Sequence, residues 1–172
     1  MIGPRVPVLY LDIDGTVRWS VDELGHYVGG PEDVHVYPEV PNLLYRYRAA
    51  GWRIVGVSNQ GGVAKGRVTW ERVQAAMAET QRQCGGLFDS IAACPHHPDA
   101  IDPADRACWC RKPRPGLVIE AALAMAQRHP GETYPPALGL MVGDRPEDEG
   151  CAEAAGLQFM PASQWRAGRH DL

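Results

Sequence analysis

The sequence has 172 residues, of which 45% are hydrophobic and 22% are charged, and its formal net charge is −4 at pH 7. This composition predicts a globular chain with one core. It excludes a disordered or fibrous protein and, since no apolar run approaches about 20 residues, a membrane-spanning one. The acidic balance argues against a general nucleic-acid binder. Among the 17 basic residues only Lys65 and Lys112 are lysines.

Apolar runs of strand length alternate with helical segments along the chain. Strands are predicted over residues 6–12, 53–57, 90–93, 138–142 and 157–160. Helices are predicted over residues 40–50, 69–83, 116–129 and 147–155, with Thr69 as the N-cap of the second. The alternation predicts an α/β fold with a parallel sheet, in one domain over residues 1–172. Ligands of such sheets bind at the carboxyl ends of the strands, so the polar clusters there are candidate site residues.

Two polar clusters follow the first and second predicted strands. Asp12 and Asp14, followed by Gly15, place two carboxylates at one strand end. Two like charges this close repel each other unless a cation or a role in phosphate transfer compensates, so the pair indicates such a site. The alternative interpretation is a solvated Asp-Gly turn. The second cluster is Ser58-Asn59-Gln60-Gly61-Gly62. Its hydroxyl, amide and backbone N–H groups suit a phosphate oxygen, although similar residues also mark ordinary loops.

Two further clusters are charged. Three cations, Arg111, Lys112 and Arg114, precede the predicted helix 116–129, which suits an anion; a basic surface turn is the alternative. Asp144 and Asp148 follow the fourth strand and flank the start of the next helix, where helix capping alone could explain either carboxylate. Each cluster is a modest signal by itself, whereas their order along the chain is specific.

Four potential metal ligands lie in two pairs before the basic cluster. Cys94 and His96 are followed by Cys108 and Cys110, and four such ligands suit tetrahedral Zn²⁺. A closed four-ligand site is structural, so zinc is predicted to fix the loop 94–110; His97 is the alternative to His96. The odd cysteine count without a secretory signal predicts a reducing, cytoplasmic location rather than a disulfide framework.

The order Asp-x-Asp-Gly-Thr, Ser-Asn, Lys-Pro and Gly-Asp-x-x-x-Asp resembles the signature of haloacid dehalogenase (HAD) superfamily phosphatases over nearly the whole chain. The resemblance implies a Rossmann-like three-layer α/β/α sandwich and a Mg²⁺-dependent phosphomonoesterase with an aspartyl-phosphate intermediate. Asp12 would be the nucleophile and Asp14 the general acid and base. Ser58, Asn59 and Lys112 would contact the phosphoryl oxygens. The implied magnesium ligands are the carboxylates of Asp12 and Asp144 and the backbone carbonyl of Asp14, with Asp148 behind them.

The segment between Asp14 and Ser58 is short, about 43 residues, which predicts an open site without a large cap. Cys-Pro-His-His-Pro followed by Cys-x-Cys-Arg-Lys-Pro resembles the D-glycero-D-manno-heptose 1,7-bisphosphate phosphatase and histidinol-phosphatase family. The resemblance implies that a small phosphorylated sugar is contacted by the Ser-Asn-Gln-Gly turn, including Gln60 and Gly61, and by Arg111 and Arg145. Ile13, where the heptose enzymes usually carry arginine, and residues 17–20 depart from the pattern. We predict that these departing positions line the substrate mouth.

Three alternatives stay open at this point. Two are enzymatic, a histidinol-phosphate phosphatase and a phosphatase of nucleotides or DNA 3′ ends; the DNA enzymes share the Asn-Gln-x-Gly turn but lack the Cys/His loop. The third is a non-catalytic HAD-like binding module, which predicts a broken acid set. The expected partner is a small phosphorylated metabolite, with neither a membrane nor nucleic acid as a partner, and the expected state is a monomer.

Overall fold

Five parallel strands form the central sheet in the computed structural model of the chain, which describes residues 3–168. The strands are β1 (Val8–Leu11), β2 (Arg53–Asn59), β3 (Ser90–Cys94), β4 (Gly139–Gly143) and β5 (Gln158–Pro161). Their spatial order is β3-β2-β1-β4-β5, and every neighbouring pair is parallel. The chain order reverses between β1 and β4, so their carboxyl ends flank the crevice where such sheets bind ligands. The predicted strands are confirmed, with ends that shift by one or two residues.

Six helices are formed within the described residues. They are α1 (Val21–Leu24), α2 (Val40–Ala49), α3 (Trp70–Gln83), α4 (Gly116–Arg128), α5 (Pro146–Ala155) and α6 (Ala162–Arg166). The four predicted helices are confirmed, and the Thr69 hydroxyl accepts the N–H of Arg72 as the cap of α3. The short helices α1 and α6 were not predicted. None of the helices in residues 3–168 is long and apolar enough to cross a membrane.

The sheet is buried on both faces because successive side chains of a strand point to opposite sides. Leu9 and Leu11 of β1 pack in a cluster with side chains of α2, α3 and α6, whereas Val8 and Tyr10 pack with α4 and α5. All four side chains are at most 3% exposed. This arrangement is the predicted three-layer α/β/α sandwich.

Only short elements separate β1 from β2. They are α1, a single 3₁₀ turn at Pro31–Asp33, and α2, which packs against β2. This segment contains no large helical cap, as its length predicted, although its residues 20, 21 and 27–29 line the cavity at the carboxyl edge of the sheet.

Candidate active site

An open cavity of about 370 Å³ lies at the carboxyl ends of β1 and β2. The predicted site residues that line it are Asp12, Asp14, Ser58, Asn59, Gln60, Gly61, Arg111, Lys112, Arg145 and Asp148. Asp144 lies beside the cavity, with its carboxylate against Gly15. The structure therefore brings the four polar clusters of the sequence to one place.

Asp12 follows β1 at the base of the cavity and is 7% exposed. Its backbone N–H donates to the carbonyl of Val142 at 2.9 Å, which continues the pairing of β1 with β4. Burial raises the pKa of Asp12 to about 7; Lys112 opposes this shift, and the nearby carboxylates of Asp148 and Asp14 add to it. Ionised Asp12 therefore needs a cation close by.

Lys112 supplies one such cation and is itself only 2% exposed. Its Nζ lies 2.6 Å from Asp12 Oδ1, 2.6 Å from Asp148 Oδ1 and 2.8 Å from the carbonyl oxygen of Val57. Burial alone would lower the pKa of Lys112, but the two carboxylates raise it above its ordinary value. These three contacts use all three ammonium protons, so a phosphate oxygen must replace one of them to bind Lys112 directly.

The side chain of Asn59 holds the backbone of Lys112. Its Nδ2 donates to the Lys112 carbonyl and its Oδ1 accepts the Lys112 N–H, both at 3.0 Å. Both ends of this amide are thus paired within the protein, an arrangement that the sequence did not predict. Ser58 is 1% exposed, and its Oγ accepts a hydrogen bond from Gln60 Nε2 at 2.8 Å. That bond leaves the Ser58 hydroxyl proton for a phosphate oxygen.

Asp14 has both carboxylate oxygens hydrogen-bonded at the side of the cavity. Oδ1 accepts from Arg18 Nε at 2.8 Å, and Oδ2 accepts from Gln60 Nε2 at 2.7 Å. Gln60 thus bridges Asp14, which follows β1, and Ser58 of β2, and all three side chains line the cavity.

The prediction that Ile13 and residues 17–20 line the substrate mouth is wrong except at Ser20. Ile13 and Val17 are fully buried in the core cluster, because Ile13 alternates with Asp12 and Asp14 and so faces the opposite side. Arg18 is 1% exposed and turns inward to its ion pair. Trp19 packs against His35, with ring centroids 4.8 Å apart, and does not line the cavity.

Three carboxylates form an acidic group whose oxygens lie within 4.8 Å of one another: Asp12, Asp144 and Asp148. Burial raises the pKa of Asp144, and Asp148 raises it further. Gly15 has φ +89°, and a Cβ there would lie 2.2 Å from Asp144 Oδ2, so only glycine fits between the two strand ends. Oxygen ligands with this excess of negative charge suit a hard divalent cation such as Mg²⁺.

Asp148 also has a structural task in this group. Its Oδ2 accepts the backbone N–H of Arg145 at 3.0 Å and caps α5, while its Oδ1 accepts from Lys112. Both oxygens are therefore occupied by protein donors, and the place of Asp148 behind the metal ligands stays a prediction.

The mouth of the cavity is basic. The side chains that provide the positive charge are Lys65, Arg67, Arg111 and Arg145, and His97 lies among them; the exposed carboxylate of Glu147, which also lines the cavity, offsets one of these four charges. Burial lowers the pKa of His97, and Arg111, Lys65 and Arg67 lower it further, because these cations lie close to the ring. A Cβ at Gly61 would come within 2.7 Å of the His97 ring and 3.0 Å of Arg111, so Gly61 gives these side chains room. The sequence reasoning missed His97 and Arg67 as cavity residues; the only signal was the close spacing of Lys65 and Arg67.

The four predicted zinc ligands form one compact cluster. Cys94 Sγ lies 3.0 Å from Cys110 Sγ, 3.6 Å from Cys108 Sγ and 3.5 Å from His96 Nδ1. Four ligands around tetrahedral Zn²⁺ lie about 3.7 Å apart, so the cluster is close to the size that zinc needs. Burial raises the pKa of Cys94, so a thiolate there needs a cation. His96, rather than the alternative His97, belongs to this cluster.

The parallel sheet with an acid–lysine cluster at its carboxyl edge defines an HAD-type phosphatase, an enzyme that hydrolyses phosphomonoesters. Comparison with solved structures agrees with this class. A crystal structure of D,D-heptose 1,7-bisphosphate phosphatase from B. bronchiseptica, complexed with magnesium and phosphate, matches 97% of this chain and 88% of its own, with a TM-score of 0.73 and 26% identity.

Curated sequences narrow the class to a family. D-glycero-beta-D-manno-heptose-1,7-bisphosphate 7-phosphatase from Rhodopseudomonas palustris is 31% identical over 161 residues, which are 90% of this chain and 82% of the relative. D-glycero-alpha-D-manno-heptose-1,7-bisphosphate 7-phosphatase from Mycobacterium bovis is 35% identical over 143 residues, 81% of this chain and 68% of the relative. No protein-family model matches the chain. The chain belongs to the D-glycero-D-manno-heptose-1,7-bisphosphate 7-phosphatase family.

Proposed function

We propose that the protein removes one phosphate from a heptose 1,7-bisphosphate in a Mg²⁺-dependent reaction. The observation that carries this proposal is that the inner end of the cavity holds the acidic group around Lys112, whereas its mouth is basic. The inner end can bind the phosphate that reacts, and the basic mouth can bind a second anionic group of the same substrate. The relatives are named for either the α or the β anomer of the sugar, so both anomers are candidate substrates.

Asp12 is the proposed nucleophile. One of its carboxylate oxygens forms a bond to phosphorus while the bond between phosphorus and the sugar oxygen breaks, which gives an aspartyl phosphate. Lys112 holds Oδ1 at 2.6 Å, whereas Oδ2 accepts only a long hydrogen bond from Thr16 Oγ1 at 3.4 Å, so Oδ2 is the proposed attacking oxygen. Ser58 donates its hydroxyl proton to the phosphoryl group, and Asn59 positions Lys112 beside it.

Asp14 is the proposed general acid and base. It gives a proton to the leaving sugar oxygen and then takes one from the water that attacks phosphorus in the aspartyl phosphate. Cleavage of that bond restores the Asp12 carboxylate and releases phosphate. General acid catalysis contributes about 10²–10⁴-fold, so Asp14→Asn should retain phosphorylation of Asp12 better than turnover.

The proposed magnesium ligands are the carboxylates of Asp12 and Asp144 and the backbone carbonyl of Asp14. Support comes from the raised pKa values of the two carboxyl groups, because buried Asp12 and the more exposed Asp144 lie beside more negative charge than Lys112 balances. When bound, the ion supplies positive charge at the reacting phosphate and orients it. Asp148 stands behind these ligands, tied to Lys112 and to the N-terminus of α5.

Zinc is the proposed occupant of the Cys/His cluster, with a structural role. The Cys108 Sγ accepts the backbone N–H of Arg111 at 3.3 Å, so the cluster orients the residue that precedes Lys112. Arg111 in turn donates to the His96 carbonyl at 3.1 Å and lines the mouth, where it is proposed to bind the second phosphate with Arg145 near the first. Zinc thiolates need a reducing compartment, and we propose a single-domain cytoplasmic monomer.

A substrate panel tests the proposal. Phosphate release with Mg²⁺ is measured for α- and β-heptose 1,7-bisphosphates, histidinol phosphate, nucleoside monophosphates and 3′-phosphorylated DNA, with Asp12→Asn as the matched inactive variant. We expect the highest kcat/KM for a heptose bisphosphate and no turnover by Asp12→Asn. A higher kcat/KM for histidinol phosphate or a nucleic-acid substrate would replace the proposed substrate, and turnover by Asp12→Asn would refute the nucleophile.

A further inference from the structure

Arg18 is a buried cation that the signature of the superfamily does not include. Its side chain is 1% exposed and does not line the cavity. A guanidinium that is removed from water is costly unless an anion pairs with it. The carboxylate that pairs with it is Asp14, at 2.8 Å from Nε.

The guanidinium is fixed on its other side by α3. Nη1 of Arg18 donates to Thr80 Oγ1 at 2.9 Å and to the carbonyl of Ala76 at 3.3 Å. Thr80 is fully buried, and its hydroxyl donates to the same Ala76 carbonyl at 2.7 Å. The backbone is fixed as well, since the Arg18 carbonyl accepts the N–H of Gly15 at 2.8 Å. Arg18 therefore presents Nε to Asp14 from a rigid position.

The two oxygens of Asp14 consequently have different environments. Oδ1 accepts from the guanidinium of Arg18, a group with N–H donors and no acceptor. Oδ2 accepts from Gln60, a neutral side chain that lines the cavity and that an incoming substrate can displace. Because Arg18 donates to Oδ1, a proton on Asp14 is directed to Oδ2, the oxygen bonded to the cavity-lining Gln60.

We propose that Arg18 is a positioning residue for the general acid. It holds Oδ1 and so directs Oδ2 and its proton toward the oxygen of the leaving group. The inference rests on the proposed function, in which Asp14 is that acid. It assigns a mechanistic role to a residue in the segment that departs from the heptose enzymes.

The test is the dependence of phosphoryl transfer on the leaving group. An alkyl phosphate, such as glycerol phosphate, leaves as a poor alkoxide and needs the proton of Asp14, whereas p-nitrophenyl phosphate leaves as a stable phenolate. The kcat/KM value reports the steps up to cleavage of the phosphoester bond, so it excludes the later hydrolysis that both substrates share. For Arg18→Met we expect kcat/KM to fall roughly 10²-fold with the alkyl phosphate and less than about threefold with the aryl phosphate.

Three variants keep the test falsifiable. Arg53→Met removes another partly buried arginine, which pairs with Glu132 at 2.7 Å near the other end of β2. Its ratio of kcat/KM for the alkyl phosphate to kcat/KM for the aryl phosphate should equal that of the wild type. Thr80→Val removes one of the two acceptors that hold Arg18 Nη1 on α3 and should shift the ratio in the same direction by less. In an Asp14→Asn background, Arg18→Met should change the ratio no further, because the group that it positions is gone.

Equal losses with the two substrates would show that Arg18 only stabilises the fold, and would overturn the proposal. If Arg18→Met does not fold, an unchanged ratio in Thr80→Val and in Arg18→Lys would overturn it equally. Simple phosphate esters are used throughout. Failure of the heptose substrate therefore leaves the ratio measurable, and the two failures are distinguishable.

Discussion

Lys112→Met removes the ammonium that lies between two buried carboxylates. At the observed 2.6 Å, and with an effective dielectric constant of about 20, the ammonium attracts each carboxylate by about 6 kcal/mol before the cost of its desolvation. Removing one partner of a buried pair costs about 3–5 kcal/mol net, because the remaining charge is left uncompensated. For a chain of 172 residues, each kcal/mol shifts Tm by about 2–4 °C, so we expect a decrease of roughly 6–20 °C.

The assay is thermal unfolding followed by circular dichroism in Mg²⁺-free buffer. Lys65→Met is the matched control, since it makes the same change at the other lysine of the chain; within residues 3–168 Lys65 has no carboxylate partner. Lys65→Met should change the free energy of unfolding by no more than about 0.5 kcal/mol. The decrease for Lys112→Met should be smaller near pH 5 than near pH 8, because protonation of Asp12 relieves the repulsion with Asp148. Equal Tm values for the two variants would refute the charge argument.

Three further predictions concern the metals and the turn after β1. Without divalent cations the wild type should lose stability as pH rises from about 4 to about 7, because folding raises the pKa of Asp12 from 3.8 to about 7. Urea titrations measure this loss, and added Mg²⁺ should reduce it. Cys110→Ser should lower the zinc content below about one ion per chain by metal analysis and reduce kcat, whereas Cys84→Ser, a buried cysteine outside the cluster, should keep the zinc. Gly15→Ala should abolish turnover and lower the free energy of unfolding, because its Cβ would displace Asp144. Gly25→Ala is the control: it should lower the free energy of unfolding by only about 1–2 kcal/mol, because it has the left-handed φ but no neighbouring atom to displace.

The sequence predicted the strands and the clusters at their ends because both depend on local signals. Each buried strand is a short apolar run, and the parallel topology then places every strand end at one edge of the sheet. The zinc cluster was equally predictable, since ligand type and paired spacing are local features. One local signal was missed: Ser20 and Glu23 form a capping box that begins α1.

The contacts that refine the site are long-range, and no local pattern contains them. The Asn59 amide pairs with a backbone 53 residues away, and Arg18 bonds to Thr80 62 residues away. An arginine in a loop after an Asp-Gly turn is usually solvated, and only the position of α3 shows that Arg18 is buried. The same holds for the basic mouth, which His97 and Arg67 join from separate loops.

The contact between Lys112 and Asp12 spans 100 residues and therefore bears on how the protein is made. A chain emerging from the ribosome exposes Asp12 long before its counter-ion, and both before Asp144 and Asp148, which follow β4. Closing so long a loop is slow, because its entropy is lost before the contact is gained. Until α5 has been synthesised, the chain can build the strands on one side of β1 but not the acidic group. Phosphatase activity is thus expected only after residues 144–148 have been synthesised.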